Sequence, residues 1–170
     1  MILQYLKKKE KKDKVIAKNQ YENVLKISND LLNNYPYFKH KNYKVSFEIV
    51  TIFLISYIIR NKLRFEKKDY LKINENIISL FILDLDESLR SKGIGDMSIG
   101  KYVKSYVKKF YFRLKKFPLN INKNRQQDFI RYFELFDFVI KSEHLNASKL
   151  FIDKYMDVID SWFRILYLVN

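Results

Sequence analysis

Glycine occurs three times in this chain of 170 residues, and all three fall in the stretch Gly93-Ile94-Gly95-Asp96-Met97-Ser98-Ile99-Gly100. Glycine is where a backbone takes positive φ or admits a close approach. One short segment is therefore marked for a sharp turn, and the sequence on either side reads as helix. Apolar residues recur at helical spacing through about six segments, and no alternating run bounded by turn residues demands a sheet. The expected fold is all-α, one compact domain over residues 13–170 behind a basic arm over residues 1–12. Helix one is expected from about Asp13 to Asn33, ending before Tyr35-Pro36 because proline disfavours helix in its predecessor. Helix two is the apolar run Val45 to Leu63, and helix three runs from about Tyr70 or Asn74 to Ser91. Helix four starts with Ser98 as N-cap and continues to about Phe117, before Pro118. Asn120 to Asn124 caps helix five, which buries Phe129, Phe133, Phe136 and Ile140. Asn146 caps helix six, with Leu150, Phe151, Tyr155, Ile159, Trp162 and Leu166 facing inward. A β-branched residue at Gly95 is expected to harm the turn, since it resists positive φ.

The net charge of +14 is unevenly placed. Residues 1–131 carry +16 and residues 132–170 carry −2. Two stretches dominate: the lysine-rich start, and Lys101 to Lys116, which holds seven basic residues and no acid. At 100° per residue, Val103, Tyr106, Val107, Phe110 and Leu114 share one side of helix four, and Lys101, Lys104, Lys108 and Lys115 share another. Such a face suits RNA or an anionic lipid surface. It equally suits solvent, and the A/T-codon bias behind 20 Ile, 14 Asn and only 2 Ala inflates lysine too. Arg113 follows Phe110, Tyr111 and Phe112, a setting for guanidinium against a ring.

Function classes narrow by what is missing. There is no cysteine, hence no disulfide, thiolate metal site or cysteine nucleophile. His40 and His144 are the two histidines; neither has a carboxylate at metal-ligand spacing, and solvent-exposed or capping roles are expected. Asp84, Asp86 and Glu87 cluster late in helix three, but residues two apart on a helix point to different faces, which makes a poor metal site. Asp86 and Arg90 are instead spaced for an i,i+4 ion pair. Gly93-Ile94-Gly95 follows a helix and lacks the βαβ setting of a phosphate cradle. Val45 to Ile59, about fifteen residues interrupted by Ser46, Glu48, Thr51 and Ser56, falls short of the roughly 20 apolar residues that span a bilayer. The start lacks the apolar core of a secretory signal. The expectation is a cytoplasmic protein with no cofactor, no metal and no catalytic group.

One ordered run carries a resemblance. Asp84-Leu85-Asp86-Glu87-Ser88-Leu89-Arg90, then Gly93-Ile94-Gly95-Asp96-Met97-Ser98-Ile99-Gly100-Lys101, and later Phe110-Tyr111-Phe112-Arg113, is similar to the signature of the ubiquinol-cytochrome c chaperone family. That family's pattern reads Asp-x-Asp-x-Ser-Leu-Arg, Gly-Val-Gly-Asp, Lys and Phe-Tyr-Gly-Arg. Upstream, Tyr35-Pro36-Tyr37-Phe38 and Val45-Ser46-Phe47-Glu48 resemble its Pro-x-Phe-Tyr and Arg-Phe-Glu elements, so about Tyr21 to Phe117 is covered. Phe112 stands where the family has glycine, Ser91 where it has an acid, and its Asp-Thr element is not recognisable near Lys39 to Lys44.

The resemblance implies an assembly factor that binds newly made cytochrome b during assembly of ubiquinol-cytochrome c reductase. It also implies company: the ribosome, an anionic membrane surface on the inner face of the cell membrane, and a small helical partner protein, with no DNA. Client or partner contacts are expected at Arg90, Gly93, Gly95, Asp96, Gly100, Lys101, Tyr111 and Arg113, and a basic surface for RNA or anionic lipid at Lys101, Lys104, Lys108 and Lys115. Two other classes stay open at this point: a basic helical RNA- or ribosome-binding module, and a metal-dependent enzyme on lipid phosphates using Asp84, Asp86 and Glu87.

Overall fold

The structure, a computed structural model, describes residues 2–117 and 125–160, with side chains described over 10–117 and 126–159. Six α-helices make up these residues: α1 Ile2–Asn34, α2 Tyr43–Arg64, α3 Lys67–Arg90, α4 Asp96–Lys116, α5 Arg125–Phe136 and α6 His144–Asp160. A single 3₁₀ turn, Lys141–Glu143, precedes α6. The fold is all-α, and among the described residues no strand occurs. The expected Asn120 to Asn124 cap, and Trp162 and Leu166, lie outside the described residues.

The chain divides into two units. The first comprises Met1–Asn23 and Asn61–Lys115, and the second Val24–Arg60 and Lys116–Asn170, so α1 and α2 each contribute residues to both.

In the first unit α3 shows the plainest pattern. Ile73, Ile77, Phe81, Leu85 and Leu89 are buried at every fourth position, one stripe of the helix, while Leu71 and Leu83 lie off it and are exposed. The α1 segment supplies buried Asp13, Ala17, Gln20 and Tyr21, again at spacings of three and four. From α4, Ile99 and Phe110 are buried, and Phe110 packs against Phe81 with ring centroids 5.3 Å apart. One buried polar cluster of this unit is paired: Asn61 and Gln20 exchange two amide hydrogen bonds of 2.8 Å each, and Asn61 also donates to Asn74 at 2.8 Å.

The second unit is built on aromatic rings. Phe53, from the nearly continuous buried run Thr51–Tyr57 of α2, stacks on Phe151 of α6 at 5.7 Å. Phe129 and Phe133 of α5 lie 6.1 and 5.2 Å from the same ring. The segment after α5 turns sharply at Asp137, φ +52°, a left-handed conformation that aspartate tolerates better than most residues. That turn lets Val139 form an antiparallel bridge to Phe38, with Lys39 N–H donating to Phe138 O and Ile140 N–H to Tyr37 O. Lys39 closes the pairing with an ion pair to Asp137 at 2.5 Å. The Asp137 carboxyl is held below its ordinary value chiefly by the hydrogen bond from Lys39, then by the lysine charge.

Helix boundaries differ from expectation: α1 begins at Ile2 rather than about Asp13, and α5 ends at Phe136, before Ile140. The start of α2 is fixed by Asn42, whose Oδ1 accepts the Val45 N–H at 3.1 Å, so the helix begins at Tyr43. Asn146 does not cap α6; it lies within the helix and its amide donates to Glu143 at 3.0 Å. His144 opens α6 instead, half-buried, its ring nitrogen 3.3 Å from Val139 O, while His40 is exposed.

Candidate functional site

The run that carries the sequence signature folds into the corner between α3 and α4. Backbone bonds close the end of α3: Ile94 N–H donates to Leu89 O at 3.3 Å and Gly93 N–H to Arg90 O at 2.8 Å. A bond five residues back nested over one three residues back is the Schellman closure, which needs a left-handed residue at the position Gly93 occupies. Gly93 has φ +83°. The next helix starts at once, with Gly95 O accepting from Ser98 N–H at 2.9 Å and Ile99 N–H at 3.1 Å.

This geometry corrects two expectations. Ser98 is not the N-cap of α4: the helix begins at Asp96, because the Gly95 carbonyl already accepts the first helical bond. Nor is Gly95 the conformationally demanding glycine. Its φ lies outside the left-handed region, and a Cβ there would meet no atom within 4 Å; Gly100 lies inside α4 with equally open surroundings. Gly93→Ala is accordingly expected to lower stability by about 1 kcal/mol, whereas Gly95→Ser, which keeps a favourable residue at the N-cap of α4, should change it by less than about 0.5 kcal/mol. Urea midpoints of the two variants decide between them.

Charge fastens the same corner. Arg90 Nε donates to Asp86 Oδ2, one turn earlier on α3, at 2.5 Å, and its Nη1 pairs with Asp96 Oδ1 at the first residue of α4. These bonds raise the Arg90 pKa, the one to Asp86 most and the one to Asp96 next. Asp96 also sits where a helix favours negative charge, at its N-terminus. Asp84, the other aspartate of the signature, accepts a 2.7 Å bond from the Tyr21 hydroxyl of α1. The three acids at the end of α3 are thus split: Asp84 faces α1, Asp86 holds Arg90, and Glu87 is exposed.

Of the residues singled out in sequence, the structure brings Arg90, Gly93 and Asp96 together. Lys101, Lys104, Lys108 and Lys115 lie along the exposed side of α4, with Tyr111 beside them, and Arg113 is at the far end of that helix, half-buried. Phe112, which replaces the family's glycine, is 47% exposed, so the extra ring is turned outward. Tyr21, Gln20, Asn61 and Asn74 were missed. The available signal was Gln20, a polar residue at a buried position of the α1 stripe.

The most distinctive residues of this all-α chain thus shape a helical corner and engage one another in doing so. The family model for ubiquinol-cytochrome C chaperone matches residues 42–128, which include this corner and all of α2 to α4. The chain belongs to the ubiquinol-cytochrome c chaperone family. Its fold is shared by the crystal structure of the Cbp3 homolog from Brucella abortus, with a TM-score of 0.72 at 19% sequence identity over 94% of this chain and 89% of that one. No curated protein matches the chain.

Proposed function

We propose that this protein is an assembly factor for ubiquinol-cytochrome c reductase that binds newly synthesised cytochrome b. The observation that carries the reading is the family match over residues 42–128, centred on the Asp86–Arg90–Asp96 corner. Arg90 and Asp96, already engaged with each other, set the shape of the corner, and Gly93 lets the chain turn there. Lys101, Tyr111 and Arg113 on α4 supply the groups that meet a client. A cytochrome b client is apolar and membrane-bound. Exposed Met97 and Tyr102 in the first turns of α4, beside the corner, and Tyr111 and Phe112 farther along the helix support contact with such a chain. On this reading the protein meets its client at the inner face of the cell membrane, near the ribosome and with a small helical partner protein. No described helix is long and apolar enough to cross a membrane.

The test is affinity purification of the tagged chain from its own host, together with a deletion strain. Cytochrome b is expected to be enriched with the tagged chain, and the strain lacking it should lose most of its assembled reductase. Normal reductase in the deletion strain, with cytochrome b absent from the purified material, would refute the assembly role.

A further inference from the structure

Arg60 stands where the buried run of α2 gives out. Thr51 to Tyr57 are buried, and Ile58, Ile59 and Arg60 after them are half-buried. The guanidinium carbon lies over the Tyr57 ring, 5.2 Å from its centroid, a contact that holds the head against the second unit. Its Nε is buried and meets no hydrogen-bond acceptor. No carboxylate of the described residues pairs with it, and burial pulls its pKa below the ordinary arginine value. Arg90 shows the usual arrangement by contrast, held between Asp86 and Asp96. A guanidinium taken partly out of water without an anion costs free energy that one tyrosine ring offsets only in part. A charge kept in such a place calls for a partner from outside the fold.

We propose that Arg60 is the receptor for a carboxylate carried by an apolar segment of another protein chain. The Tyr57 ring holds the planar head, whose Nη1 and Nη2 groups donate in parallel to the two carboxylate oxygens, while Ile59 meets an apolar neighbour of the acid. One guanidinium matches one carboxylate in charge and in its flat, two-oxygen edge. A phosphate carries more charge and is met by several cations or by the free N–H groups of a helix N-terminus, whereas Arg60 lies near the C-terminal end of α2, where carbonyls are left over. Arg60 is none of the groups that meet cytochrome b in the assembly-factor reading, and this contact does not depend on that reading.

Titration of the full chain with the peptide acetyl-Leu-Glu-Leu-amide tests it, followed by NMR through the Arg60 Nε–H and the Ile59 methyl signals. The Glu peptide is expected to shift both, and the matched acetyl-Leu-Gln-Leu-amide should bind about 10-fold more weakly. Arg60→Lys, which keeps the charge but loses the planar fork, should weaken the Glu peptide about 5-fold, read from Ile59. Arg60→Met should erase the difference between the two peptides. The same change should raise the melting temperature of the free chain by about 2–4 °C, since it removes an unpaired charge and strands no partner. The proposal is overturned by a Gln peptide that binds as well as the Glu peptide, by no response to either, or by a melting temperature that falls in Arg60→Met. It is also overturned if inorganic phosphate or phosphatidylglycerol vesicles shift the Arg60 signal and the Glu peptide does not, which would make the ligand a phosphate. Cytochrome b takes no part in these measurements, so failure here leaves the purification test of the assembly role standing.

Discussion

Phe151→Ala is expected to destabilise the folded chain by about 3–5 kcal/mol, the largest effect of any single truncation proposed for this protein. The ring is fully buried, and its neighbours come from segments far apart in sequence: Phe38 before α2 at 6.3 Å, Phe53 of α2 at 5.7 Å, Phe129 and Phe133 of α5 at 6.1 and 5.2 Å, and Phe138 after α5 at 6.4 Å. Removing it leaves a hole lined by stiff planar groups that collapse poorly, so the loss of apolar burial and the residual cavity both count. Leu145→Ala, also on α6 but 52% exposed, should cost less than about 0.5 kcal/mol. Urea titrations followed by far-UV circular dichroism compare the two at constant slope. Equal midpoints would mean that the second unit is not organised around this ring. In cells, a loss of this size should lower the amount of folded protein, and with it reductase assembly, without touching the α3–α4 corner.

Repeating local patterns are what the chain makes readable. The buried stripe of α3 and the inward face of α4 follow from apolar spacing alone, as does the exposed lysine row. The family signature placed the corner, and Asp86 with Arg90 was legible as an i,i+4 pair because both lie on one helix. The contribution of Asp96 to that pair was not, since it depends on how α4 leaves the turn. Choosing Gly95 over Gly93 as the demanding glycine failed for a related reason: composition says that a positive φ is needed somewhere, but only the hydrogen bonds closing α3 say where. The starts of α4 and α6 were misread by assigning caps to Ser98 and Asn146, polar residues that helices also accept within their first turn. Contacts between residues distant in sequence carry no period at all. Tyr21 with Asp84, and Gln20 with Asn61, pair across separations of 63 and 41 residues.

That last pair yields the second large effect. Asn61→Ala is expected to cost about 2–4 kcal/mol, far more than removing a polar side chain from a helix surface, because of what it leaves behind. Asn61 is fully buried; its amide donates to Gln20 Oε1 and to Asn74 Oδ1, and its carbonyl oxygen accepts from Gln20 Nε2. Gln20 is only 7% exposed, so both ends of its amide lose their partner in a place water does not readily reach. Asn74 is half-buried and can turn to solvent at lower cost. Changing Gln20 and Asn61 together to Leu removes both members of the pair and should cost less than Asn61→Ala alone, since no amide is then stranded. A double-mutant cycle with Gln20→Leu and Asn61→Leu should return a coupling of about 1–2 kcal/mol between the two sites. A coupling near zero would mean that the amide pair is not formed in solution. The network joins α1, the end of α2 and α3 within the unit that carries the Asp86–Arg90–Asp96 corner, so its loss should loosen the elements that hold the corner. Gly93→Ala acts only where α3 ends, and comparing amide exchange along α3 in the two variants separates the contributions: exchange should rise along the whole helix for Asn61→Ala and only after Leu89 for Gly93→Ala.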